Sequence, residues 1–293
     1  METLLFVPGD SARKLEKALT SGADALLIDL EDSVSLANKQ KARQQAREFV
    51  MALGGTDGVP QLIVRINAGD SGLMDADLDA VICRGLAAVM LPKCCGGRDV
   101  QQLSARMALR EAFADFPPGS FGILPIVTET AASLFAMGSF AGASRRLIGL
   151  TWGAEDLAAD LGASSNRDEQ GRWTGPYEMA RSLTLLAARA ARVPAIDTVF
   201  PDISDTAGFA KACRDAVRDG FDGKMAIHPS QIPMITAAFA PSAAQIDHAR
   251  AILAAVAAAD GAGVVALHGS MIDEPHLKQA RRVLARATKK PAP

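Results

Sequence analysis

Apolar runs of five to eight residues recur along the chain, each bounded by polar or charged positions. Eight of them are rich in Val, Ile and Leu, the pattern of strands buried on both faces: Thr3–Pro8, Ala25–Leu30, Gln61–Asn67, Ala87–Lys93, Gly122–Thr128, Arg146–Trp152, Ile196–Pro201 and Lys224–His228. Helical spacing fills the intervals at Ser11–Thr20, Lys39–Leu53, Leu78–Arg84, Gly97–Phe113, Thr130–Gly138, Pro176–Arg192 and Asp205–Asp219. Asp10-Ser11 and Ser204-Asp205 stand where N-caps are expected, and Gly85 and Gly220 where helices should stop. Strict strand–helix alternation predicts an α/β protein with a parallel sheet, and eight units predict closure into a (β/α)8 TIM barrel. An open doubly wound sheet is the alternative. It is disfavoured because no Gly-x-Gly-x-x-Gly follows any of these strands.

Two regions exceed the minimal repeat. Gly153–Thr174 is polar and glycine-containing, long enough for an active-site loop. Beyond residue 240 the pattern changes to an alanine-rich helix (Ala243–Ala259), a linking stretch (Gly261–Met271) and a second helix (Pro275–Lys289). The expected organisation is a barrel over residues 1–240 and a C-terminal helical extension or lid over 241–293.

Composition narrows the function classes. With 293 residues, 49% apolar and only 5% aromatic, the chain suits close packing of helices on a central sheet. A net charge of −2 gives no general attraction to nucleic acid or anionic membrane, so neither partner is expected. No apolar stretch approaches a bilayer-spanning length, and Met-Glu-Thr-Leu-Leu at the start lacks a basic leader region. Cys83, Cys94, Cys95 and Cys213 fit neither zinc spacing nor a secreted disulfide framework. A cytoplasmic protein with reduced thiols is expected.

The chemistry lies where the strands end. Glu129 and Asp156 are 27 residues apart, about one repeat, so their strand ends should be neighbours. Two carboxylates without His or Cys clusters suit magnesium, whose remaining positions are filled by water and substrate oxygens. Glu155 beside Asp156 leaves open which of the two faces the cation. Arg65, inside a buried run, needs a carboxylate partner, either from a ligand or from Asp29, Glu31 or Asp32. The two roles can coexist. Lys93 could pair with those acids or reach a phosphate, and His228 reads foremost as a hydrogen-bonded structural residue. Arg13, Lys14 and Lys17 follow the first strand as a cationic group or as a solvated helix face.

In order, Leu5-Phe-Val-Pro-Gly-Asp10, Ile28-Asp-Leu-Glu-Asp-Ser-Val34, Val64-Arg-Ile-Asn67, Leu91-Pro-Lys93, Thr128-Glu-Thr130, Trp152-Gly-Ala-Glu-Asp-Leu157, Ala226-Ile-His-Pro-Ser-Gln231 and Gly269-Ser-Met-Ile-Asp273 follow one another. Together they resemble the citrate lyase β-subunit-like CoA-ester lyases of the HpcH/HpaI aldolase superfamily, over nearly the whole chain. The resemblance implies a barrel, commonly trimeric, that binds Mg²⁺ and cleaves 3-hydroxy-acyl-CoA thioesters. It puts the metal ligands on Glu129 and Asp156 and substrate binding on Arg65. Asp273 falls on a tail aspartate supplied to a neighbouring subunit's site.

The implied reaction is a retro-Claisen cleavage into an acyl-CoA and a 2-keto acid. A cation on Glu129 and Asp156 favours the substrate alkoxide. Arg65 and the backbone amides after the sixth strand, at Ala154 and Glu155, stabilise the thioester enolate. Asp273, or a water near it, protonates that enolate. Arg13 and Lys14 would meet the CoA phosphates. A CoA-independent aldolase releasing pyruvate or oxaloacetate is one rival; a catalytically silent binding barrel is the other.

Overall fold

The computed structural model describes residues 1–258, 264–267 and 270–288. Eight parallel strands form one sheet: β1 (Thr3–Pro8), β2 (Ala25–Asp29), β3 (Gln61–Arg65), β4 (Ala88–Leu91), β5 (Gly122–Pro125), β6 (Leu150–Thr151), β7 (Ala195–Asp197) and β8 (Gly223–Ala226). Their spatial order is β5-β4-β3-β2-β1-β8-β7-β6, and isolated parallel bridges Ile123–Leu147 and Ile126–Thr151 join the two ends. The sheet is therefore a closed barrel. Helices α1 (Ala12–Ala18), α2 (Lys39–Leu53), α3 (Met74–Val81), α4 (Gly97–Phe113), α5 (Ala131–Leu134), α6 (Glu155–Leu161), α7 (Gly175–Ala190) and α8 (Thr206–Asp219) intervene, and α9 (Ile232–Phe239) follows β8.

Side chains along a strand alternate in direction, and this sets the barrel interior. Leu4, Leu27, Ile63, Met90, Leu124, Ile196 and Met225 fill it with others, all at most 2% exposed. Each such side chain removed from water contributes roughly 1.5–3 kcal/mol. Two residues further along the same face come Phe6 after Leu4, Asp29 after Leu27 and Arg65 after Ile63. The same alternation that packs the core thus lifts an acid and a guanidinium to its C-terminal end.

Several boundaries differ from those expected. The sixth strand keeps only Leu150–Thr151, because Arg146 turns its guanidinium onto Glu111 (2.5 and 2.6 Å) and Leu147 reaches β5 only by a bridge. The third helix starts at Met74, not Leu78, with Met74, Leu78 and Val81 buried. Within the stretch expected as a loop after β6, α6 forms on one buried anchor, Leu157. The helix expected at Thr130–Gly138 is the four-residue α5 and a 3₁₀ turn at Met137–Phe140. Asp205 caps α8 by accepting from Gly208 N–H, and Gly220 ends it at φ 103°. Ser11 occupies the cap of α1 without a side-chain hydrogen bond.

The contacts divide the chain into two units, Met1–Ile235 and Thr236–Pro293. In the second, α10 (Ala243–Ala257) and α11 (Glu274–Ala287) enclose a small core of Ala249, Ile252, Ile272, Leu277 and Ala280. The linking stretch holds an antiparallel pair, β9 (Val265–Leu267) and β10 (Ser270–Ile272), where no strand was expected. Gly269 of the tail motif, Gly261, and the expected helix ends at Ala259 and Lys289 lie outside the described residues. Among the described residues no helix is long and apolar enough to cross a membrane.

Candidate active site

Asp29 and Arg65 end β2 and β3 opposite one another in register. Arg65 Nε and Nη2 each donate to an Asp29 oxygen at 2.7 Å, a bidentate pair, and its guanidinium lies 4.9 Å over the Phe6 ring. Asp29 also accepts the N–H groups of Glu31 (2.9 Å) and Ser33 (3.0 Å). Burial pushes its carboxyl upward, but Arg65 and these donors outweigh that and hold it below the ordinary range. Glu31 is 5% exposed, with Oε2 3.0 Å from Arg65 Nη1 and Oε1 2.5 Å from Lys93 Nζ. The Arg65 approach lacks hydrogen-bond geometry, so Oε2 has no hydrogen bond among the described residues. Burial raises the Glu31 carboxyl despite both cations.

A polar scaffold behind these strand ends fixes their loops. Lys39 Nζ donates to the carbonyls of Leu30 (2.7 Å) and Glu31 (2.8 Å) and to Asn67 Oδ1 (2.7 Å). Asn67 in turn donates to Asp77, which pairs with Arg43 at 2.7 Å.

Glu129 and Asp156 follow β5 and β6, the neighbours at the closing seam. Thr128 Oγ1 and the backbone N–H and C=O of Gly153 lie 3.1 Å apart in both directions, tying the two loops together. A Cβ at Gly153 would lie 2.9 Å from Glu129 Cγ, so any larger residue there would push the Glu129 side chain aside. Glu129 is 4% exposed, and Oε2 accepts the Lys93 N–H at 2.5 Å. Burial pushes its carboxyl up to about 8, with Asp156 and Glu31 adding to the rise; the Lys93 amide and Arg65 oppose it. Lys93 Nζ lies 3.3 Å from Asp156 Oδ1 and 3.5 Å from Asp32 Oδ2. The acids hold the Lys93 ammonium above its usual range against the pull of burial.

Arg65, Glu129, Ala154, Glu155 and Asp156 line one pocket of about 310 Å³, walled on its apolar side by residues including Phe6, Ile126 and Met225. Five of the residues singled out from sequence therefore converge. Among the described residues no cluster of three His, Cys, Asp or Glu side chains is set for a metal. Two carboxylates, one of them under-compensated and buried, fit a hard divalent cation that takes its other oxygens from water and ligand. Softer metals would want nitrogen or sulfur donors.

Arg13 and Lys14 are exposed on α1 and do not line this pocket. Asp273 belongs to the second unit, where it caps α11 with Oδ1 2.5 Å from His276 Nδ1. His228 is exposed and caps the turn Pro229–Gln231, its Nδ1 2.7 Å from Ser230 Oγ, in keeping with a structural role. Cys83, Cys94 and Cys213 are buried, and burial pushes the Cys94 thiol up to about 12. Sequence reasoning includes Thr128 and Gly153 in its motifs but gives neither a role. The only available signal was a glycine directly after an apolar strand run.

Comparison with known proteins bears on the fold and the family. Residues 2–229 match the model of the HpcH/HpaI aldolase/citrate lyase family, and residues 189–289 that of the C-C bond lyases of the TIM-barrel fold. Citrate lyase subunit beta of Escherichia coli (strain K12) is 38% identical over 287 residues, covering 97% of this chain and 92% of the relative. A (3S)-malyl-CoA thioesterase of Cereibacter sphaeroides (strain ATCC 17029) is 33% identical over 287 residues, covering 97% and 94%. The crystal structure of CitE from Mycobacterium tuberculosis, in complex with magnesium, acetoacetate and coenzyme A, superposes with a TM-score of 0.80 at 35% identity, covering 98% of each chain. A closed barrel with acids and a guanidinium gathered at the C-terminal ends of its strands, matched over almost its full length, makes this chain a carbon–carbon lyase of the HpcH/HpaI aldolase/citrate lyase family.

Proposed function

We propose that the protein cleaves a 3-hydroxy-acyl-CoA thioester of the citryl-, malyl- or citramalyl-CoA type into an acyl-CoA and a 2-keto acid. One observation carries the reading. Glu129 and Asp156, from neighbouring strand ends, share a single pocket with a charged and buffered Arg65. Magnesium, which the Mycobacterium tuberculosis CitE complex contains, suits Glu129 and Asp156. Bound there, it would lower the pKa of a substrate hydroxyl and orient the adjacent carboxylate.

The protein's own groups account for the remaining steps. Arg65, fixed by Asp29, presents positive charge that need not reorganise as the thioester enolate develops. Ala154 caps α6, so the first amides of that helix, from Glu155 onward, have no intrahelical acceptor and are free to orient an anionic ligand. Asp273 delivers a proton to the enolate carbon, and in the condensing direction removes it. We assign that aspartate to the tail of a neighbouring subunit in a cytoplasmic homotrimer, with residues 241–293 acting as the lid over a barrel of residues 1–240. Arg13 and Lys14 serve the CoA phosphates rather than the reacting carbons.

The test is a panel of citryl-, malyl-, methylmalyl- and citramalyl-CoA with Mg²⁺, with the released keto acid detected by mass. Release from a thioester but not from the CoA-free hydroxy acid supports the proposal. Equal turnover without CoA would instead indicate a simple aldolase, and no release at all a silent barrel. Asp273→Asn should lower turnover by about 10²–10⁴-fold while leaving Mg²⁺ affinity unchanged; wild-type turnover would remove Asp273 from the mechanism.

A further inference from the structure

Lys93 touches both members of the carboxylate pair, and with different atoms. It stands just beyond β4 at φ 51°, in the left-handed region that favours glycine. From there its N–H reaches Glu129 Oε2 while its side chain runs back to three more acids. Nζ is 2.5 Å from Glu31, 3.3 Å from Asp156 and 3.5 Å from Asp32. Glycine would make the turn with less strain and keep the N–H, so the side chain needs its own explanation.

Five carboxylates gather at this end of the barrel: Asp29, Glu31, Asp32, Glu129 and Asp156. Arg65 is committed to Asp29 by two hydrogen bonds. That leaves the Lys93 ammonium as the positive charge nearest Asp156. We propose that Lys93 is a resident counter-cation that competes with a divalent metal for Asp156 and thereby sets how tightly the metal is held. The inference rests on Glu129 and Asp156 being the metal pair. Lys93 yields by withdrawing onto Glu31, whose contact is shorter and whose side chain is only 6% exposed, against 32% for Asp156.

A second role for the same geometry would be a tether that holds Asp156 ready for the metal. The two roles differ in sign. Losing a tether frees one half-exposed side chain and weakens metal binding slightly. Losing a unit charge a few ångströms from a divalent ion strengthens binding, and the Coulomb effect is the larger even at water-like screening. The counter-cation reading therefore predicts a gain of affinity on mutation.

The experiment is calorimetric titration of Mg²⁺ into the full-length protein without substrate. Lys93→Gly keeps the N–H to Glu129 and accepts the backbone conformation, and Lys93→Met removes the charge at similar length. Both should bind Mg²⁺ about tenfold tighter than wild type, with the gain shrinking as salt rises. Lys93→Arg should stay within about threefold, since its charge remains. Unchanged or weaker binding by the glycine variant, with its circular dichroism intact, overturns the inference. A wild-type protein that binds no Mg²⁺, or binds it equally well as Glu129→Gln, overturns the metal assignment and this inference with it.

Discussion

Glu129 and Asp197 are both less than 5% exposed, and both belong to strand ends of the same barrel, yet their surroundings are opposites. Asp197 Oδ1 accepts the Trp152 indole N–H at 2.8 Å and Arg181 Nε at 3.3 Å, and Oδ2 accepts Lys224 Nζ at 2.9 Å. Burial raises its carboxyl, but Lys224 and Arg181 more than reverse this, and it lies below the usual carboxylate range. Glu129 has one strong donor, an amide N–H, and faces two further acids. A buried acid with a full set of partners is a structural member. One left short of positive charge, beside a pocket, is a place for a ligand to supply it.

That contrast can be broken most sharply by amide substitution at both positions. Glu129→Gln should cut lyase turnover on the order of 10³-fold, the scale of losing metal-ion stabilisation, with thermal stability unchanged or higher. Asp197→Asn leaves Lys224 buried beside a neutral amide and should cost about 3 kcal/mol or more in denaturant unfolding. Equal stability losses in the two variants would erase the distinction.

The pH dependence should separate them next. The Glu129 carboxyl lies near 8 when folded and near the ordinary value of about 4.3 when unfolded. Between those values the native state holds a proton that the unfolded chain has lost, so this residue's contribution to stability falls as pH rises. Asp197 has the reverse sign. Its contribution is complete above the unfolded carboxylate pKa of about 3.9 and disappears as pH falls through its lower folded value. Unfolding curves at pH 5 and pH 8 should therefore show a decline that Mg²⁺ diminishes and that is smaller in Glu129→Gln, the raised Glu31 carboxyl supplying the remainder. The smallest effect belongs to Gly153→Ala. Its new Cβ presses on Glu129, and Mg²⁺ affinity measured by calorimetry should drop a few-fold with the fold retained.

Much of this architecture could be read from the chain. Runs such as Leu26-Leu27-Ile28 read as buried strands and are so, and α2 and α4 have the bounds that their spacing predicts. Short elements escaped: α6 rests on a single buried leucine, and β9 and β10 are three residues each, too little for periodicity to register. Arg65, Glu129 and Asp156 were legible because polar residues that end apolar strand runs in a barrel commonly face its mouth; Asp197 and His228 do not. The choice of Asp156 over Glu155 came from resemblance, as did any role for Asp273. Through-space relations stayed hidden. Nothing in Leu-Pro-Lys announces a left-handed lysine, and Arg13 and Lys14 carry a pattern that solvated helix faces share.

The barrel's seam has a mechanical consequence. β1 and β2 are laced by five paired residues, whereas among the described residues the backbones on the two sides of the β5–β6 seam are joined by Ile123 N–H to Arg146 O, Ile148 N–H to Ile123 O and Val127 N–H to Thr151 O. Glu129 and Asp156 stand just beyond the two staves on either side of that thin join. An ion gripped by both would rivet the cylinder across that thinly laced join, so its arrival should slow amide exchange at Val127 and its seam partners before it alters any distant stave.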